Sequence, residues 1–167
     1  GPAAADRLAK RWQPRCHVVG DLMADLSSSA RSSAPLPAGE WVALLPGSKR
    51  AKLQVGMPFL LRCADALRAL RPQTQFLLAL APTTSVAELQ AFAGPGNPLQ
   101  RFYGTQEPEL IEQDGKRWLV SSEGTRILLV EEHPAHGPLS QCALALTTVG
   151  ANTAELGALG VPMLVLL

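Results

Sequence analysis

Short apolar runs alternate with helical stretches along most of the chain. Val42 to Leu45, Gln75 to Leu80, Arg126 to Val130, Cys142 to Thr147 and Pro162 to Leu167 are nearly continuous in Leu, Val, Ile and Ala. Such runs are expected of strands covered on both faces. Between the first two, Leu53, Met57, Leu60, Ala64 and Leu67 recur at helical spacing and form one apolar stripe. Pro58 removes a backbone donor, so the regular part of that helix is expected to begin near it, and Arg71-Pro72 closes it. Ser85 and Glu88 have the spacing of a capping box for a short helix through Ala93, ended by Gly94-Pro95-Gly96-Asn97-Pro98. A last helix, Asn152 to Leu159, precedes Gly160, which suits the left-handed position after a helix. The alternation predicts an α/β fold built on an open parallel sheet with flanking helices.

One segment departs from this pattern. Leu110 to Gln113 and Lys116 to Val120 flank Asp114-Gly115, a strong signal for a two-residue hairpin. Residues from about 100 to 124 are therefore read as an inserted β-hairpin outside the parallel sheet. Residues 1–37 read as a junction segment with a Ser/Ala/Pro linker, and 38–167 as the domain proper. Because Pro162 to Leu167 ends inside an apolar run, the chain is expected to be a piece of something longer, incomplete at its C-terminus.

Composition narrows the function classes. The 167 residues are 47% apolar and 17% charged, which fits one domain with a real core. A formal net charge of +1 gives no footprint for nucleic acid. Lys49, Arg50 and Lys52 form the tightest basic cluster, and three charges near a loop suit a phosphate better than a duplex. Cys16, Cys63 and Cys142 are widely spaced, which argues against a disulfide framework and a structural zinc site. Ala3 to Arg11 lacks the apolar core of a secretory leader, and no run approaches the ~20 residues that span a bilayer. These features point to a cytoplasmic protein, with peripheral membrane contact left open.

Two loops carry candidate chemistry. Leu44-Leu45-Pro46-Gly47-Ser48-Lys49-Arg50 follows the first strand, where ligands gather in open α/β sheets. Gly47 permits close backbone approach, Ser48 offers a hydroxyl, and Lys49 or Arg50 a cation. An ordinary strand-to-helix turn with solvated charges explains the same residues. The loop matches neither the Walker A spacing nor G-x-G-x-x-G. The second loop, Thr147-Thr148-Val149-Gly150-Ala151, leads into a helix whose free N–H groups suit an anion such as a diphosphate. Glu155, one turn in, could accept from a ribose diol. Asn152 and Glu155 also stand in the relation of a capping box, which accounts for an acid there without any ligand.

These stretches together resemble lipid-A-disaccharide synthases, glycosyltransferases of the GT-B type. The resemblance rests on Val18-Val19-Gly20-Asp21-Leu22-Met23-Ala24-Asp25, Leu44 to Ser48, and Thr147 to Leu167 with its Gly160-Val161-Pro162. It implies a Rossmann-like domain forming one half of a GT-B fold. It also implies a UDP-sugar as donor substrate, with no further cofactor and no metal. On this match Glu155 contacts the ribose, Thr148, Val149, Gly150 and Ala151 form the diphosphate turn, and Gly47 and Ser48, followed by Lys49 and Arg50, line the facing loop. Three departures stand out. Asp21-Leu22 replaces a [HN]-P pair, Lys49 stands where the family has Arg, and Thr148-Val149 replaces Ser-Gly. The N-terminal acceptor domain and the catalytic base it carries in such enzymes are not in this sequence, so no catalytic residue is assigned. A lipid-linked acceptor and peripheral association at the inner membrane face follow from the same resemblance.

Two other readings remain open: part of a UDP-sugar 2-epimerase, and a non-catalytic Rossmann-like interaction module. His133-Pro134-Ala135-His136 lacks a third ligand for a metal and reads as a loop beside the same sheet edge. His17 receives no role, and Trp12, Trp41 and Trp118 read as packing residues.

Overall fold

The computed structural model describes residues 35–166. The expectations for Val18 to Asp25, the helical turns at Ala4 to Trp12, Cys16, His17, most of the linker and Leu167 lie outside these residues.

In chain order the elements are β1 (Trp41–Leu45), α1 (Arg50–Leu70), β2 (Gln75–Ala79), α2 (Val86–Ala93), α3 (Gln100–Tyr103), β3 (Glu109–Gln113), β4 (Lys116–Val120), β5 (Arg126–Val130), α4 (His136–Ser140), β6 (Leu144–Thr148), α5 (Ala151–Leu159) and β7 (Met163–Leu166). The strands form one open sheet in the order β3-β4-β5-β2-β1-β6-β7. The five strands from β5 to β7 are parallel. This is the Rossmann-like α/β arrangement expected from the strand-helix alternation.

Two-residue periodicity explains why the strands read as unbroken apolar runs. Val42 and Leu44 of β1 enter a core with Leu53, Met57 and Leu60 of α1 and Leu89 of α2. Trp41, Ala43 and Leu45 enter a second core on the opposite face, with Leu139 of α4 and Leu156 of α5. Both faces of β1 are covered, so no polar alternation is needed there; edge strand β7 departs from the expectation, with Leu164 and Val165 exposed.

Helix α1 begins eight residues before Pro58, with the proline inside it, contrary to the expectation that regular helix starts there. The reason is a substitute donor. Pro58 has no N–H to give to the carbonyl of Gln54, four residues back. The side-chain amide of Asn97 donates to that carbonyl instead, at 2.7 Å, and to the Phe92 carbonyl at 2.6 Å. Its Oδ1 accepts from Leu99 N–H at 3.0 Å. Asn97 is 5% exposed. The loop that ends α2 thus completes α1.

The capping box at α2 forms as its sequence predicts. Ser85 Oγ accepts from Glu88 N–H at 3.2 Å, and the Glu88 carboxylate accepts from Ser85 N–H at 2.8 Å. Gly160 follows α5 in the left-handed conformation, φ 70°.

The hairpin forms around Asp114-Gly115, with φ of 53° and 68°, as a type I′ turn requires. It is narrower than 100–124, because Gln100–Tyr103 is helical. Nor does it stand apart from the sheet: β4 pairs antiparallel with β5, Leu119 opposite Ile127. Leu119 and Ile127 are both fully buried in one core, while Trp118 packs against the other. Burial of alternate side chains on both faces is what draws the hairpin into the sheet. Its far end is tied to α1. Ser121 and Thr125 hydroxyls both donate to Asp65 Oδ1, and Arg68 donates to the Gly124 and Glu123 carbonyls at 2.8 Å each.

Candidate functional site

Strand order reverses at the centre of the sheet. From β1 the chain runs through α1 to β2 on one side, whereas β6 pairs on the other side of β1. In open parallel sheets the crevice beyond the carboxyl ends at such a reversal is where ligands bind. The loop after β1 and the loop after β6 both reach this point. Gly47 adopts φ +93°, and a Cβ there would lie 2.9 Å from Thr148 Oγ1. Positive φ and the close approach both call for glycine, and together they let the two loops touch.

A cleft of ≈ 380 Å³ opens at this edge. Gly47, Ser48, Ala151, Asn152 and Glu155 line it, so residues about a hundred positions apart meet in one space. The loop after β2, Leu80 to Thr83, and His133 complete the wall. The β2 loop was not singled out from the sequence. The signal was present all the same, since every parallel strand of one sheet delivers its following loop to the same edge.

Helix α5 begins at this cleft, and no side chain caps its N-terminus. Thr153 instead donates its hydroxyl to the Gly150 carbonyl at 2.6 Å. The Thr153 N–H donates to the same carbonyl at 3.1 Å, so the N–H groups of Ala151 and Asn152 are left to solvent or a ligand, with the positive end of the helix dipole behind them. Because α5 starts at Ala151, Asn152 and Glu155 do not occupy N-cap and N3, and the capping-box explanation of Glu155 does not hold. The carboxylate accepts from His136 Nε2 at 2.8 Å. His136 is buried at the start of α4, so it fixes one carboxylate oxygen from within the fold. Neither the sequence spacing nor composition signals this pair.

The remaining candidates divide. Thr148 ends β6 with its side chain buried, whereas Val149 is exposed in the turn. Lys49 is exposed immediately before α1. Arg50 lies away from the cleft, its guanidinium 5.3 Å from the Phe92 ring centroid. There it lines a different depression of ≈ 250 Å³ with Gln54, Glu88 and Asn97. A cation does reach the α5 N-terminus: the Lys52 Nζ lies 3.1 Å from where a Cβ on Gly150 would be.

Among the described residues no group of three or more His, Cys, Asp or Glu side chains is arranged to hold a metal ion. His133 lines the cleft, and His136 is paired with Glu155. Among the same residues no helix is long and apolar enough to cross a membrane.

No protein-family model matches the chain. Curated relatives do. A lipid-A-disaccharide synthase of Anaeromyxobacter dehalogenans (strain 2CP-C) is 36% identical over 73 residues, 43% of this chain and 19% of that protein. The synthase of Koribacter versatilis is 32% identical over 92 residues, covering 54% of this chain and 21% of the relative. That of Alteromonas mediterranea is 29% identical over 109 residues, 58% and 28% respectively. The chain thus spans well under a third of the length of these relatives. Over that stretch it is lipid-A-disaccharide synthase-like in sequence, on an open α/β sheet whose loops meet at one crevice.

Proposed function

We propose that this chain is the donor-side domain of a glycosyltransferase similar to lipid-A-disaccharide synthase, one half of a GT-B fold, and that it binds a UDP-sugar at the cleft between the β1 and β6 loops. One observation carries this reading. Of the residues singled out from sequence alone, Gly47 and Ser48 of the first loop, Ala151 at the end of the second, and Glu155 border a single cleft at the reversal of strand order. The uncapped start of α5 supplies backbone donors for a diphosphate, which as a leaving group gains negative charge when the sugar–oxygen bond breaks. Glu155, with one oxygen held by His136, keeps the other for a ribose hydroxyl. Transfer itself requires an acceptor domain that carries the base. The acceptor is a lipid-linked sugar met at the cytoplasmic membrane face.

Calorimetric titration of the folded chain with UDP and UDP-N-acetylglucosamine tests the proposal. Saturable heat is expected, together with at least tenfold weaker UDP binding in Glu155→Ala. Absence of both heat and thermal shift at millimolar UDP, in a sample shown to be folded, rejects it.

A second reading, a non-catalytic interaction module, is favoured by the engagement of Glu155 with His136. It predicts that Glu155→Ala lowers thermal stability with no nucleotide effect to accompany it.

A further inference from the structure

We propose that Lys52, rather than Lys49 or Arg50, supplies the cation that holds the diphosphate; this rests on the donor-site reading above. Sequence order favours the residues directly after Ser48, but the helix geometry does not. Lys49 ends the loop, and α1 starts at Arg50. Two positions further on, Lys52 has turned toward β6. A Cβ placed on Gly47 would meet the Lys52 side chain at 3.1 Å and the Thr148 hydroxyl at 2.9 Å. Lys52, the Gly47 turn and the end of β6 therefore share one junction. From there the Lys52 ammonium reaches the α5 start at Gly150.

Two observations make this arrangement more than a helix terminus. Lys52 is half-buried and has no ion-pair partner among the described residues, although Arg71 and Arg117 do. An ammonium partly removed from water beside unpaired backbone donors lacks only an anion. At the same junction, the buried Thr148 Oγ1 has no hydrogen-bond partner. Such a hydroxyl is rarely left unused when a site is filled. Arg50 meanwhile rests on Phe92 and is committed elsewhere. A two-phosphate ligand laid across Gly150 meets the α5 N–H groups with one phosphate and Lys52 with the other. This makes Lys52 a determinant of preference for diphosphate over monophosphate.

The test titrates the full chain with inorganic pyrophosphate, UMP and UDP, comparing wild type with Lys52→Ala, Lys52→Arg and Arg50→Ala. Lys52→Ala is expected to weaken UDP and pyrophosphate at least tenfold and UMP less. Lys52→Arg should recover most of the loss, and Arg50→Ala should cost less than Lys52→Ala. Unfolding curves for each variant separate lost binding from lost fold. If wild type binds UDP and Lys52→Ala remains within twofold of it, the role of Lys52 is wrong and the donor-site reading stands. If pyrophosphate binds through Lys52 but UDP binds no better than pyrophosphate, the anion site stands and the nucleotide reading falls. Binding of neither ligand to wild type overturns both.

Discussion

The Asn97 amide replaces a hydrogen bond that Pro58 forbids, and this can be tested by removing each partner. Asn97→Ala deletes the donors to the Gln54 and Phe92 carbonyls and the acceptor for Leu99 N–H. A buried polar group left without a partner costs about 1–3 kcal/mol. The adjacent depression is bordered by Gln54, Phe92 and Asn97, so water can reach part of the vacated space. Three groups lose a partner, about 3–9 kcal/mol by that figure, and relief by water places the total near the lower end, about 3 kcal/mol, still a large share of a typical stability of about 5–15 kcal/mol. Pro58→Ala returns an N–H that can serve Gln54 directly. In wild type that carbonyl is already satisfied, so the change should do little for it. In the Asn97→Ala background it should recover about 1 kcal/mol more than it gives alone, within the usual range for coupled neighbours. Urea denaturation of the wild type, two single mutants and the double mutant measures all four stabilities. An Asn97→Ala loss below about 0.5 kcal/mol, or strict additivity of the two changes, would refute the account.

Two further predictions concern pH. Hydrogen bonds from the Ser85 backbone and hydroxyl hold the exposed Glu88 carboxyl below its ordinary range. A depressed folded-state value means the capping contribution is present above the ordinary carboxylate range and is lost as pH falls through the folded value. In Ser85→Ala, carbon-13 titration of Glu88 should move back toward that range, and an unchanged midpoint would contradict the capping assignment. Burial pushes the Cys142 thiol up to about 12 from an ordinary 9.0. Here the folded value is raised, so the thiol's contribution is complete below the unfolded value and declines as pH rises from about 9.0 toward about 12. Cys142 should resist iodoacetamide at mildly alkaline pH until the protein unfolds, and modification of the native chain at this residue would show the site to be open.

What the sequence revealed was local. Five parallel strands, the Ser85–Glu88 capping box and the Asp114-Gly115 turn each depend on residues within one element or its edges, and all are where the pattern puts them. What it concealed depends on contacts between distant segments. Pro58 breaks a helix unless a donor arrives, and the donor comes from 43 residues beyond Gln54. The spacing of Asn152 and Glu155 imitates a capping box, but the N-cap lies two residues earlier, at Gly150, and His136 claims the carboxylate. Of the basic cluster, Arg50 is drawn to Phe92 and Lys52 to Gly150, a division that residue order cannot encode. The loops that border the cleft were legible because parallel strands send their C-terminal loops to one edge, whereas the side-chain pairings beside it were not.

Helix α1 has a consequence as a mechanical element. At 21 residues it runs about 30 Å, and its two ends are fastened to different things. Near its start, Lys52 abuts the β1–β6 junction; toward its end, Asp65 and Arg68 grip the turn between β4 and β5. The sheet has thus been widened by two strands at the margin farthest from the crevice on that side, and the new margin is bolted to the same beam that carries Lys52. Growth at the periphery of this kind leaves the central loops untouched while bracing the strut that positions them. Loosening the hairpin should therefore be felt at the crevice as a change in rigidity, transmitted along a single rod.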